Sequence, residues 1–236
     1  MIHNISWGDY TMNQISFSEI KERMNEWIHL DYIRPEDIPS IELYMDQVTT
    51  FMESKLNGNK RDANDKILTK TMINNYSKND LLPPSNKKKY SKDHIILLIY
   101  IYYLKNFLSI NDIQNLLKPV SDNYFQKSSG ITMSSIYEDL YHLETEYNMK
   151  MRESIFDIYK TADEAYGDGN DYLKTLTMIT LLSYDIYAKK QLVERLIDSI
   201  SVKPASKDEL KETKDAAKQK EKKVKERAKQ KNKETN

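Results

Sequence analysis

The sequence predicts an all-α protein, and two observations support this class. Glycine and proline are scarce, with 5 and 6 residues in a chain of 236, which is unusual for an all-β protein or for an enzyme built on glycine-rich loops. Apolar residues recur at three- and four-residue steps through most of the chain, and this spacing places them on one face of a helix. A chain of this length can hold one domain of ordinary size with an extension, or two small domains.

A helical extension is predicted within residues 1–35. Apolar residues follow helical steps over about residues 17–30, and Ser16 with Glu19 has the spacing of a capping box. Pro35 is predicted to end this element, because the residue before a proline disfavours helical geometry.

Four shorter helices are predicted in residues 36–120. Ser40 and Ser91 are the predicted N-caps of the first and third of them. Pro119 is predicted to stop the fourth, because proline has no amide hydrogen to continue the helical hydrogen bonds. The predicted helices span about residues 41–56, 69–78, 92–104 and 111–117.

A pair of long helices is predicted after a linker at residues 122–130. One apolar seam runs over about residues 133–165 and a second over about 173–200, with the break Gly167–Asp171 between them. Two seams joined by a short break are typical of an antiparallel helical hairpin. This hairpin, residues 131–202, is expected either to form a dimer contact or to sense a signal.

Charge is unevenly distributed, although the formal net charge is zero. Residues 66–105 contain 8 lysines and only 2 acidic residues, whereas the chain before the tail is otherwise acidic. A basic segment in an acidic chain attracts phosphate while the remainder repels it. The Lys/Glu-rich tail, residues 203–236, lacks an apolar stripe and is predicted to be disordered or a single solvated helix.

The predicted helix 69–78 has an apolar face and a polar face. Met72, Ile73 and Tyr76 fall within an arc of roughly 100°, the width of a core-facing stripe. Lysine binds phosphate, and asparagine and threonine also reach base edges in the major groove, asparagine with a bidentate match to adenine. We therefore expect the residues of the polar face to contact DNA. They are Lys70, Thr71, Asn74, Asn75 and Lys78.

A basic loop follows this helix after about ten residues. Lys87, Lys88 and Lys89 lie between Pro83-Pro84 and Tyr90, which precedes the next helix. A basic loop held on both sides is typical of a wing, which places ammonium groups against phosphates beside a helix in the groove. The three lysines and Tyr90 are therefore expected DNA contacts.

Four segments of this region carry a resemblance to a known family: Leu68–Tyr76, Leu81–Pro84, Lys89–Ser91 and Leu104–Leu117. In this order they resemble the winged helix-turn-helix of the MerR family of transcriptional regulators. The resemblance covers about residues 36–118 and implies that helix 69–78 is the recognition helix and that the basic loop is the wing. With Asp37–Val48 ahead of it, the pattern is also similar to a family of uncharacterised Gram-positive bacterial proteins predicted to use such a domain.

The chain departs from the MerR pattern at the end of the recognition helix. There Asn75-Tyr76-Ser77 keeps only the tyrosine of an arginine-tyrosine pair and a glutamate, and Asn79-Asp80 replaces a glycine. Two further differences lie elsewhere. The loop before the recognition helix is longer than the family norm, and the metal-ligand cysteines of metal-sensing relatives are absent. A thiolate-bound metal is therefore not expected as the effector, and the effector is unknown.

These observations predict a cytoplasmic, sequence-specific transcriptional regulator that binds double-stranded DNA. One such domain contacts too little surface for regulatory affinity, so a homodimer is expected, with half-sites about one helical turn apart. Two other functions stay open at this point. The first is a helical protein–protein interaction module without DNA binding, and the second is a non-specific nucleic-acid binder that uses the charged tail.

Other classes of function have no support in the sequence. There is no nucleophile elbow, P-loop or dinucleotide-binding glycine motif, so neither an enzyme nor a cofactor is expected. The chain has no cysteine and its histidines are scattered, so no metal site is expected, and His94 is expected at the surface. The longest apolar run, Ile95–Leu104, has ten residues. A membrane-crossing helix needs about 20, so no membrane contact is expected.

Overall fold

Residues 16–201 are described by the structure, a computed structural model. This part of the chain contains seven α-helices and one small antiparallel sheet of two strands. The helices are α1 (Phe17–Trp27), α2 (Met45–Leu56), α3 (Lys70–Lys78), α4 (Lys92–Leu104), α5 (Ile110–Tyr124), α6 (Met133–Glu164) and α7 (Asp171–Ile200). The strands are β1 (Leu43–Tyr44) and β2 (Lys89–Tyr90). The protein is therefore mostly helical, and the predicted tail at residues 203–236 lies outside the described residues.

The predicted capping box is present at the start of α1. The Ser16 hydroxyl oxygen accepts a hydrogen bond from the Glu19 amide at 3.2 Å, and the Glu19 carboxylate accepts one from the Ser16 amide at 2.7 Å. These hydrogen bonds hold the pKa of the Glu19 carboxyl below its usual value. The apolar face of α1 packs against α6 and α7 in a small second core. The buried members of this core are Phe17, Ile20, Met24, Tyr159, Ala162 and Met178.

The two-stranded sheet is a correction to the all-α prediction. Residues 41–44 are predicted as the first turn of a helix, but β1 occupies the last two of these positions, and α2 begins after it. Leu43 pairs with Tyr90 and Tyr44 with Lys89 in antiparallel register. The partner strand lies far along the sequence, so the local periodicity contains no signal for this pairing.

The main hydrophobic core is built around α4. Eight of the 13 residues of this helix are buried, and six of them are consecutive, so they cover every side of it. A helix that is apolar all round belongs in the interior. Val48 and Met52 of α2 reach this core, as do Ile73 and Tyr76 of α3. The core therefore fixes α2 and α3 relative to α4.

Helix α5 continues through Pro119, and the prediction that this proline ends the helix is wrong. The helix spans Ile110–Tyr124, with the proline in its interior. An interior proline removes a helical hydrogen bond and costs about 3 kcal/mol. Ile113 and Leu117 are buried before the proline, and Val120 packs against the main core after it. These apolar contacts on both sides of the proline offset its cost.

The predicted antiparallel pair of long helices is present as α6 and α7, which pack together. Gly169 lies in the turn between them at φ +82°, a left-handed conformation that suits glycine. Near this turn, Asp163 of α6 forms an ion pair with Lys174 of α7 at 2.7 Å. Near the start of α6, the Tyr137 hydroxyl donates to the Ile33 carbonyl at 2.6 Å. None of the seven described helices is long and apolar enough to cross a membrane.

Candidate nucleic-acid interface

Local hydrogen bonds define both ends of α3. At its N-terminus, the Thr69 hydroxyl oxygen accepts from the Met72 amide at 3.2 Å. At its C-terminus, the Leu81 amide donates to the Tyr76 carbonyl at 2.9 Å, and Asp80 has a φ of +54°. This is a Schellman arrangement with aspartate in the position that glycine usually occupies. The chain therefore leaves α3 in a fixed direction.

The five α3 residues predicted to contact DNA form the exposed face of this helix. Ile73 and Tyr76 are buried on the opposite face. The Lys70 amine forms an ion pair with Asp46 of α2, so this lysine also joins the two helices. The exposed residues are Lys70, Thr71, Asn74, Asn75 and Lys78.

The three predicted wing lysines lie in a tight turn that we call the basic hairpin (residues 86–89). The Asn86 amide donates to the Lys89 carbonyl at 3.1 Å, and the Lys89 amide donates to the Asn86 carbonyl at 2.9 Å. Lys87 and Lys88 have φ angles of +48° and +64°, and both are exposed. Positive φ at both central residues is the geometry of a type I′ turn. Left-handed backbone costs a lysine about 1–2 kcal/mol, which glycine would avoid.

Aromatic contacts hold the basic hairpin in place. The Lys89 amine lies 5.4 Å from the centre of the Tyr44 ring, a cation–π distance. Tyr90 is 5 % exposed, and its ring packs edge-on against His94 with 5.5 Å between ring centres. The structure therefore places Tyr90, a predicted DNA contact, in the core beneath the hairpin.

His94 is buried, so the expectation that it lies at the surface is wrong. Its Nδ1 accepts a hydrogen bond from the Ser91 amide at 3.0 Å and thereby caps α4. Within residues 16–201, Nε2 has no hydrogen-bond partner, and the ring lies edge-on to Tyr90 and Phe125. Burial lowers the pKa of this imidazole, an effect that the neighbouring proline backbone opposes only in part.

Both α3 and β2, the strand that ends the basic hairpin, pack against α2. Two acidic side chains of this region are engaged by other groups. Asp46 pairs with Lys70, and the Asp93 carboxylate accepts a hydrogen bond from the Gln126 amide at 2.6 Å. The exposed face of α3 and the basic hairpin present ammonium, amide and hydroxyl groups, which are the side-chain groups that contact nucleic acids.

Comparisons with curated proteins and with solved structures find no match to this chain. Residues 33–140 match a family model described as a domain of unknown function, DUF1836. The matched segment runs from before β1 into α6 and includes both the exposed face of α3 and the basic hairpin. The chain is therefore similar to DUF1836 over the segment that carries the candidate interface.

Proposed function

We propose that this protein is a sequence-specific DNA-binding transcriptional regulator that acts as a homodimer. In this proposal α3 enters the major groove, and the basic hairpin lies against the phosphate backbone beside it. The observation that carries the proposal is a turn that exposes Lys87 and Lys88 at unfavourable backbone angles, in a fold where both this hairpin and the polar, acid-free helix α3 pack against α2. Strained backbone of this kind is concentrated at functional positions.

The order of elements supports a winged helix-turn-helix of the MerR type. In this interpretation α2 is the first helix of the motif, α3 is the recognition helix and the basic hairpin is the wing. The β1–β2 pairing joins the start of the motif to the wing, and α4 supplies the core behind both helices. The DUF1836 match spans this whole arrangement.

The dimensions and chemistry of α3 suit the major groove. An α-helix with its side chains is about 10–12 Å across, which fits the major-groove width of about 12 Å. Thr71, Asn74 and Asn75 supply the groups that read base edges. Lys78 and the two lysines at the tip of the hairpin neutralise phosphates and release counterions.

Three of the predicted contact residues have a supporting role in this proposal. Lys70 is paired with Asp46, Lys89 lies over Tyr44, and Tyr90 is buried. These contacts hold the recognition helix and the wing at a fixed angle to each other. A fixed angle lowers the entropy lost on binding, so these residues contribute to affinity without reaching a base.

Fluorescence-anisotropy titration on random duplexes at two salt concentrations tests the proposal, followed by selection and sequencing of the bound fraction. We expect salt-sensitive binding and an enriched two-fold symmetric motif with half-sites about 34 Å apart. Salt-sensitive binding without an enriched motif would overturn sequence specificity. A lack of binding at low salt would overturn DNA binding and favour the helical interaction module.

A further inference from the structure

A groove of about 400 Å³ lies between α5 and the turn that follows α3. Its walls are Ser77 of α3 with the turn at residues 80–84 on one side and one face of α5 on the other, and we call it the α3–α5 groove. Sites for small molecules commonly span about 300–1,000 Å³, so this groove has room for a small ligand. The described residues that line it do not include any DNA contact of the proposed function.

Hydrogen bonds fix both walls of the α3–α5 groove. The turn is held by the Schellman hydrogen bond from the Leu81 amide to the Tyr76 carbonyl at 2.9 Å. The side-chain amide of Gln114 donates to the Asn79 carbonyl at 3.1 Å and ties α5 to the end of α3. The α5 wall consists of residues at three- and four-residue steps, the spacing of one helical face. They are Gln114, Leu117, Lys118, Ser121 and Asp122. Because both walls are fixed before binding, a ligand loses little affinity to ordering of the protein.

Several polar groups of the groove have no partner within residues 16–201. The Asp80 carboxylate and the Ser77 and Ser121 hydroxyls take part in no hydrogen bond or ion pair there. Gln114 uses its nitrogen to reach Asn79, so its side-chain oxygen has no partner there either. Carboxylate and amide oxygens only accept hydrogen bonds, whereas hydroxyl groups donate or accept. The groove therefore suits a ligand that is mainly a hydrogen-bond donor.

The α3–α5 groove has a negative balance of charge, although it lies in the basic region of the chain. Asp80 and Asp122 line it together with one lysine, Lys118, whose ammonium group pairs with Asp122 at 3.2 Å. The C-terminal end of α3 adds a partial negative charge, because the last carbonyls of a helix have no partner within the helix. The groove therefore attracts a cation and repels an anion.

Two other classes of ligand fit the groove less well than an aliphatic amine. A metal ion needs several ligand atoms around one point, and the described residues contain no group of three or more acidic, histidine or cysteine side chains that could hold one. An aromatic ligand gains affinity by stacking on rings, and no aromatic side chain lines the groove. An amine donates to carboxylates through its ammonium groups. Its carbon chain can pack on Leu81, Leu82 and Leu117, which line the groove as well.

We propose that the α3–α5 groove binds a short aliphatic polyamine. One ammonium group donates to the Asp80 carboxylate, a second shares Asp122 with Lys118, and the carbon chain lies on the leucines between them. The turn at residues 80–84 joins α3 to the basic hairpin, so the bound amine would be an effector of the proposed regulator. This last step rests on the proposed function. Binding of the amine is measured without DNA, so its failure and a failure of DNA binding are separate results.

Isothermal titration calorimetry of the full chain with spermidine, without DNA and at low salt, tests the site. We expect one saturable site per chain. Asp80→Asn should weaken binding by roughly tenfold or more, because a charge-assisted hydrogen bond is lost. Asparagine tolerates the φ of +54° at this position, so the turn is kept. Asp139→Asn is the matched control, since Asp139 is an exposed acid of α6 without an ion pair in the described part of the chain. A lack of saturable binding, or equal weakening by both substitutions, would overturn the proposal.

A second comparison separates a shaped site from a general attraction of cations. Hexaamminecobalt(III) has the same formal charge as spermidine but no carbon chain, so it should bind roughly tenfold more weakly or less well still. Ser121→Arg places a guanidinium group in the groove and should abolish spermidine binding. Asn123→Arg lies about 160° away around α5 and should leave binding unchanged. Equal affinity for the two cations, or equal effects of the two arginine substitutions, would overturn the proposal.

Discussion

The ammonium group of Lys89 lies 5.4 Å from the centre of the Tyr44 ring, and the same two residues are paired across the β1–β2 sheet. Each strand has only two residues, so the backbone pairing alone is short. Cross-strand side-chain contacts therefore have a large part in orienting the basic hairpin relative to α2. The position of the proposed wing therefore depends on Tyr44, which precedes the first helix of the proposed helix-turn-helix, α2.

Tyr44→Ala is expected to loosen the basic hairpin without unfolding the protein. Tyr44 is 53 % exposed, so its removal leaves the core intact. An exposed cation–π contact contributes about 0.5–1 kcal/mol, so hydrogen exchange of the Lys89 amide should accelerate about two- to fivefold. Tyr44→Phe retains the ring and is the control. If exchange of the Lys89 amide is the same in all three proteins, the ring contact does not hold the hairpin.

Elements with local signals could be predicted from the sequence, and elements that depend on distant partners could not. The Ser16 capping box and the two long seams are local patterns, and the structure confirms them in α1, α6 and α7. The pairing of Leu43 with Tyr90 depends on residues far apart in the chain. Pro119 is tolerated in α5 because of tertiary packing. The local rule that a proline ends a helix takes no account of that packing.

The exposed face of α3 follows from helical geometry alone, but two features of the candidate site required the structure. The sequence contains no Asn-Gly or glycine at the tip of the basic hairpin, so it gave no signal for positive φ at Lys87 and Lys88. The burial of His94 had one usable signal, its capping-box spacing from Ser91. Histidine is an uncommon partner in that motif, which is usually completed by glutamate or glutamine.

Replacing Lys87 and Lys88 with alanine should weaken DNA binding to a similar extent on all sequences. Each lysine that neutralises a phosphate adds about 0.9 to the steepness with which log affinity falls against log salt concentration. We therefore expect the magnitude of this slope to fall by up to about 2. Anisotropy titration of one duplex at a series of salt concentrations measures this slope. Lys150→Ala with Lys160→Ala is the matched control, because both are exposed lysines of α6. An unchanged slope in the hairpin variant would remove the hairpin from the interface.

Stability and DNA affinity should change in opposite directions when Lys88 is replaced by glycine. Glycine adopts a φ of +64° without the cost of about 1–2 kcal/mol that a lysine meets. The greater freedom of glycine in the unfolded chain cancels part of that gain, so we expect the free energy of unfolding in urea to rise by about 0.5 kcal/mol. Lys88→Ala removes the same charge and keeps the strain, so it should lose affinity without gaining stability. Equal stability of the two variants would show that the turn is not strained in solution.

Asn74→Ala should reduce sequence preference more than affinity for random duplex. A bidentate contact with a base is worth about 1–3 kcal/mol of discrimination. The ratio of affinities for the selected site and for random duplex should therefore fall by roughly tenfold, as measured by competition anisotropy. Lys78→Ala is the comparison, since loss of a phosphate contact weakens both complexes alike. If Asn74→Ala loses equal affinity for the selected site and for random duplex, Asn74 positions the helix and does not read a base.

His94 should make the folded protein less stable in mildly acidic solution. Burial lowers the pKa of this imidazole in the folded state below the usual value of 6.5. In acid, the unfolded chain therefore binds more protons at this position than the folded protein does. The stability from His94 is fully present above the unfolded pKa and is lost as the pH falls through the folded pKa.

Urea unfolding of the protein and of His94→Asn measures the loss of stability in acid that is due to His94. The two pH values, about 7.5 and about 5.5, lie on either side of the ordinary histidine pKa. Asparagine offers an oxygen to the Ser91 amide but does not titrate. The variant should be less stable at the higher pH, because the ring contacts with Tyr90 and Phe125 are lost. From the higher to the lower pH, His94→Asn should nevertheless lose less free energy of unfolding than the unsubstituted protein. The difference belongs to His94, because all other titratable groups are common to both proteins. An equal loss of free energy of unfolding in the two proteins would mean that water reaches the His94 ring and that the burial of this ring does not control the pH dependence of stability.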